Sequence, residues 1–183
     1  MEKYSKYIGT PYIAGRRDCF GLARQFYWNE HGLYIKNYAR PEDFAFKMRN
    51  DDTGIEESVL DLFSHCFPES GFIPQNGNWR SLEVGDGLLF NVGNSTVVNH
   101  CGIYLGNNAF LHHLYGKVSQ IEALSEFWRS ACVQKLRHPL VYKERPKPEP
   151  LDFMEIINPH VRRRLLRAKE EVDARAGEVR ADT

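Results

Sequence analysis

The sequence predicts an α+β fold, and three observations carry that expectation. One helix-periodic segment lies near the N-terminus, at about 18–31. From about residue 82 the pattern changes to short β-rich runs punctuated by glycine and asparagine. With 183 residues, 42% of them hydrophobic, the chain can bury one core of ordinary size and no more than one. A helix followed by a run of antiparallel strands is the α+β order.

Taken in chain order, residues 1–15 hold GTPYIAG, a Gly- and Pro-punctuated loop. Asp18 then precedes CFGLARQFYWNEHG, in which Phe20, Leu22, Ala23, Phe26 and Tyr27 recur near helical spacing and Gly32 follows as a C′ residue. This places a helix at about 18–31 with Asp18 as N-cap and Cys19 in its first turn. A second helix is expected at about 54–66, opened by Thr53 with Glu56 in a capping box, and residues 68–80 read as loop. LEVGDGLLFNVG (82–93) is a Gly-Asp-Gly turn and an apolar run. VVNHCGIYLG (97–106) and AFLHHLYG (109–116) are two strands joined at Gly106-Asn107-Asn108. A further strand is expected at 117–121, a short helix at EALSEFWRS and a closing strand at CVQKLRH.

Composition excludes several classes of function. Lys plus Arg equals Asp plus Glu at 24 each, which gives no general case for nucleic-acid binding. MEKYSKYIGT has no apolar h-region, so no secretory signal is expected, and no run is apolar enough for a membrane span. Cys19, Cys66, Cys101 and Cys132 form no CxxC pair, so neither a zinc finger nor a disulfide framework is expected. No cofactor is implied.

Nucleophilic chemistry is implied. Cysteine hydrolysis needs a thiolate, a neighbouring base and donors for the oxyanion. A cysteine in the first turn of a helix meets unpaired N–H groups and a positive partial charge, which favour the thiolate. Asp18 opposes this unless its carboxylate turns back to cap the helix. His100 and His112 lie on strands joined by a tight turn and are therefore neighbours. Because strand side chains alternate faces, His100 and Cys101 should point oppositely, as should His112 and His113, and only one of each pair should reach Cys19. A second imidazole can hold the first in its useful tautomer, with His113 competing for that place. A zinc site on Cys19, His100 and His112 lacks any HExxH or CxxC support. Cys66, Cys101 and Cys132 read as buried small hydrophobes, and His31, His65, His138 and His160 as surface or capping residues.

Six segments together resemble the NlpC-type papain-like cell-wall peptidases, and most closely their phage tail-assembly branch: GTPY at 9–12, DCFGLARQFY at 18–27, NYARP at 37–41, LEVGDGLLF at 82–90, NHCGIYLG at 99–106 and FLHH at 110–113. They run in family order over roughly 7–138. The resemblance implies a papain-like fold with the catalytic helix packed on a central antiparallel sheet. It implies Cys19 as nucleophile, His100 as base, His112 as the orienting residue, and Tyr12 with the Cys19 amide as oxyanion donors. The implied substrate is the peptidoglycan stem peptide, cut between D-glutamate and a diamino acid. Phe20 departs from the serine common in the secreted branch. Residues 33–80 are longer and less regular than a minimal family core, so no substrate-selecting residue transfers there.

The tail branch implies synthesis in the host cytoplasm and residence in a virion tail that acts at the host wall. Two other functions fit the same residues: a structural tail-tip or hub protein, and a Cys–His amidase or acyltransferase. The peptidase domain is expected at 1–142. Residues 143–150 (KERPKPEP) are a stiff linker, and beyond Asn158-Pro159 a helix with a narrow apolar stripe of Val161, Leu165, Leu166 and Val172 makes 143–183 a docking arm for neighbouring tail proteins.

Overall fold

A computed structural model of the chain describes residues 2–38, 62–93 and 97–142. The expected docking arm at 143–183 lies outside the described residues, as do Thr53, Glu56 and His160. The elements are α1 (Cys19–His31), α2 (Leu62–Glu69), β1 (Ile73–Gln75), β2 (Gly87–Phe90), β3 (His100–Gly106), β4 (Ala109–His112), β5 (Gln120–Ala123), α3 (Glu126–Ala131) and β6 (Cys132–Arg137). The strands form one six-stranded sheet in the order β1-β6-β2-β3-β4-β5, and every pairing is antiparallel. This is the expected α+β arrangement.

Helix α1 forms where expected because both ends are closed. The Asp18 carboxylate accepts from the backbone N–H of Gly21 (2.7 Å) and of Gly15 (2.8 Å). At the other end Gly32, at φ 64°, returns its N–H to Trp28. Phe20, Leu22, Ala23, Phe26 and Tyr27 are all buried, and α1 packs against β3 and β4. The Tyr27 hydroxyl donates to the Gly85 carbonyl (3.0 Å), which ties the helix to the turn before β2.

Where the boundaries differ from expectation, long-range pairing explains it. Residues 68–80 were expected as loop, yet α2 continues to Glu69 and Ile73–Gln75 is an edge strand paired with β6. Three residues including a proline carry no period-2 signal, and an edge is where a sheet accepts proline. The strand expected from 117 starts at Gln120, because residues 118–119 pair instead with the N-terminal loop. Pro11 bridges Val118, and Ser119 exchanges backbone hydrogen bonds with Gly9 and Thr10. The run at 97–99 is not strand: the Asn99 amide bonds both the N–H and the carbonyl of Val92 (2.8 Å each), so β3 begins at His100. The β3–β4 hairpin turns on Asn107 (φ 49°) and Asn108 (φ 57°), the two positive-φ positions of a type I′ turn.

Asp86 is fully buried. Both its oxygens meet the Arg137 guanidinium (2.9 and 2.7 Å), and it also accepts from the Tyr142 hydroxyl (2.7 Å) and the Glu83 N–H (2.8 Å). The network clamps the Gly85-Asp86-Gly87 turn to β6. His138, expected at the surface, is buried as well, with Nε2 donating to the Ser70 carbonyl (3.0 Å) and Nδ1 accepting from Leu140 N–H (3.1 Å). Asp86→Ala leaves Arg137 paired only with Glu83 (2.6 Å) and takes the acceptor from the Tyr142 hydroxyl and the Glu83 N–H, so it should cost about 3 kcal/mol. Urea unfolding of the variant beside the parent measures the loss.

Candidate functional site

The site is built where the start of α1 meets the start of β3. Before α1 the chain doubles back, with the N–H groups of Arg16 and Arg17 donating to the Ile13 carbonyl (3.1 and 2.7 Å). This fold-back lies against the first helical turn so closely that a Cβ on Gly21 would stand 2.1 Å from the Arg16 carbonyl oxygen. Glycine at the fourth position of DCFG therefore lets the loop carrying Tyr12 approach Cys19.

Cys19 is buried, at 8% exposure. Its pKa is held well below that of an ordinary thiol, first by a hydrogen bond from the Cys101 thiol and then by hydrogen bonding to and the charge of His100, against the opposing effects of burial and of Asp18. Cys101 moves the other way, raised by its own burial and by Cys19. The expectation that only one of His100 and Cys101 reaches Cys19 is thus corrected. The two side chains do leave opposite faces: Cys101 lies in the core cluster beneath α1, while His100 packs on Phe90 and Trp128. Cys19 stands at the end of the strand, where His100 is the first residue, so groups from both faces meet the same sulfur.

His100 Nε2 lies 3.1 Å from His112 Nδ1. In the hairpin register His112 is opposite Gly102, so the two imidazoles are diagonal neighbours on one face. Gly102 leaves room for the Phe110 ring: a Cβ there would come within 2.8 Å of it. Two ring nitrogens this close share a proton in a hydrogen bond. His112 is fully buried, and burial together with the imidazoles of His100 and His113 pushes its pKa down, so the ring is neutral.

His113 turns elsewhere. Its Nε2 donates to the Lys117 carbonyl (3.1 Å) and its ring meets Tyr12 edge-on at 5.3 Å. Tyr12, Cys19, His100 and His113 line a cavity of about 390 Å³, with Phe63 and Phe127 among its apolar walls. A larger cavity of about 510 Å³ lies beside the β3–β4 turn and is lined by Trp79, Arg80, Tyr104 and Arg129 among others. Its lining holds no thiol or imidazole, whereas that of the smaller cavity holds both. Cys66 and Cys101 are buried and Cys132 is half-buried, and no two of the four cysteines form a disulfide.

Sequence reasoning missed one residue at this site. Glu122, on β5, sets Oε2 3.0 Å from His112 Nε2 and accepts from the Trp128 indole N–H through Oε1 (2.9 Å). Only the register of β5 against β4 brings it there, with Phe110 opposite Glu122 and His112 opposite Gln120.

Because the negative charge of Asp18 raises the proton affinity of Cys19, neutralising it should act in the opposite direction. In Asp18→Asn the alkylation-versus-pH profile of Cys19 should move to lower pH. The retained amide oxygen still caps Gly21 N–H while Gly15 N–H loses its acceptor, at a cost of about 1 kcal/mol. Iodoacetamide labelling across pH, read by mass spectrometry beside a thermal melt, checks both.

The NlpC/P60 family model matches residues 9–137. Tail tip assembly protein K of Escherichia phage N15 is 30% identical over 132 residues, covering 72% of this chain and 49% of that protein. Tail tip assembly protein K of Escherichia phage lambda is 27% identical over 139 residues, covering 73% and 62%. The chain thus spans about half to three-fifths of the length of these relatives. A Staphylococcus aureus Mu50 structure, described as similar to lipoprotein of the NLP/P60 family, is 23% identical with a TM-score of 0.45, covering 75% of this chain and 39% of that one. From the sheet, the site and the length of the family match, the chain belongs to the NlpC/P60 family.

Proposed function

We propose that this protein is a cysteine endopeptidase that cuts the stem peptides of peptidoglycan from the tip of a phage-like tail. The observation that carries the reading is the succession of Cys19 thiol, His100 imidazole and buried His112 imidazole, with Cys19 and His100 lining one cavity. In the proposed mechanism His100 takes the Cys19 proton and the thiolate attacks the scissile carbonyl. The Cys19 backbone N–H, which has no intrahelical partner at the start of α1, and the Tyr12 hydroxyl hold the oxyanion. The imidazolium of His100 then protonates the leaving amine, and water resolves the thioester. The bond between D-glutamate and a diamino acid is the expected target, on the family resemblance.

A structural role in the tail has its own support, since the named relatives are tail tip assembly proteins. Under that reading the peptidase fold is a hub, and residues 143–183 are the arm that docks on neighbours. Incubating the protein with purified peptidoglycan should release peptide fragments that mass spectrometry identifies, and Cys19→Ala should reduce release to background. No release by the parent, with Cys19→Ala still entering particles normally, would leave the structural role. Release by both proteins would remove Cys19 as nucleophile. For the arm, a chain ending at 142 should fail to incorporate into particles, and normal incorporation would remove the docking proposal.

A further inference from the structure

We propose that Glu122 is a positioning residue for the base, acting through His112 to set the direction of the proton between the two imidazoles. The inference rests on the cysteine–histidine reading above and extends it from three residues to four. His112 is enclosed: it is fully buried, with the Phe110 ring 4.4 Å from its own, centroid to centroid, and the Trp128 ring edge-on at 5.0 Å. His112 Nδ1 faces His100 Nε2 at 3.1 Å, and Nε2 faces two groups, of which the Glu122 carboxylate oxygen at 3.0 Å is the nearer. The Gln120 amide nitrogen, 3.4 Å from His112 Nε2, is more distant, and it donates to Glu122 Oε2 at 3.1 Å.

The consequence follows from donor and acceptor inventory. An ionised carboxylate only accepts, so the proton of neutral His112 sits on Nε2. Nδ1 then carries a lone pair, and His100 Nε2 must donate to it. That leaves Nδ1 as the basic nitrogen of neutral His100, the one available to the Cys19 proton. Reversing the first bond would reverse the others and place a proton on the nitrogen that has to act as base. When His100 becomes an imidazolium, the same chain runs from the new charge toward the Glu122 carboxylate, which stabilises it.

Glu122 is itself held in place. Trp128 on α3 and Gln120 on β5 each donate to it, while its outer side meets solvent, with the side chain 41% exposed. A rim position of this kind has no packing need for a carboxylate, since water can serve the indole and amide N–H groups there. The other titratable groups around the relay are Asp18 and Cys19 at α1, Cys101 on β3 and His113 just after β4.

Two measurements on the full chain test this. Nitrogen-15 NMR of the histidine side chains should show His112 as the Nε2–H tautomer; the Nδ1–H tautomer would overturn the proposal without any mutation. Iodoacetamide alkylation of Cys19 across pH should be on the order of tenfold slower in Glu122→Leu near neutral pH, with the melting temperature little changed, and Glu122→Gln, whose amide oxygen still accepts from His112 Nε2–H, should recover part of the rate. An unchanged profile in Glu122→Leu overturns the positioning role. Parent Cys19 reacting no faster than free cysteine would instead overturn the cysteine–histidine reading itself.

Discussion

A sulfur atom at the front of one helix, set against the first residue of a strand, is the contact from which the other distances at this site descend. Each side of it is immobilised by burial and not by the contact itself. The rotation of α1 follows from its apolar face of Phe20, Leu22, Ala23, Phe26 and Tyr27, with the Tyr27 hydroxyl anchored at Gly85. The start of β3 is fixed by the paired hydrogen bonds of Asn99 to Val92, which end the preceding irregular segment one residue before His100. Two rigid elements thus meet at their ends, where the first N–H groups of a helix have no intrahelical partner and both faces of the sheet are within reach.

That placement makes the sulfur a balance of opposed effects. Burial disfavours a thiolate, and the neighbouring carboxylate of Asp18 disfavours it further. Asp18 is nevertheless the helix cap, and its oxygens are occupied by Gly15 and Gly21 N–H groups, so its charge is partly spent on backbone donors. The opposing side is supplied by the Cys101 thiol and by His100. A cysteine that reads as a small hydrophobe therefore has a polar part as well: its S–H is the donor that the buried sulfur would otherwise lack.

The parts of the molecule that were legible in the sequence are those governed by local rules. Asp18, the apolar spacing and Gly32 define α1 to within a residue, and Gly106-Asn107-Asn108 defines the hairpin that brings His100 and His112 together. The parts that were not legible depend on pairing between distant segments. The edge strand Ile73–Gln75 exists because β6 accepts it, and β5 starts late because Ser119 is engaged by the N-terminal loop. Glu122 is hidden for the same reason. Its spacing from His112 along the chain says nothing until the β4–β5 register places the two on one face. Alternation of side chains along β3 misled in one respect, since it holds within a strand but does not constrain what meets at the strand's end.

Two carboxylates of this fold, Asp86 in the interior and Glu122 at the rim, have different work to do. Asp86 is saturated: a guanidinium, a phenol and a backbone N–H satisfy it completely, and the charge it carries is neutralised where it sits. A carboxylate so paired has nothing left with which to polarise a neighbour, and its contribution is to hold the Gly85–Gly87 turn against β6. Glu122 takes its hydrogen bonds from an indole, an amide and an imidazole, so no cation cancels its charge within that set. Its field is directed into a buried, neutral imidazole whose other nitrogen faces His100. Water at the rim screens part of it, yet the hydrogen bond through His112 transmits direction even where charge is attenuated. Orientation of the base is therefore the larger effect expected of Glu122, and stabilisation of the imidazolium the smaller one.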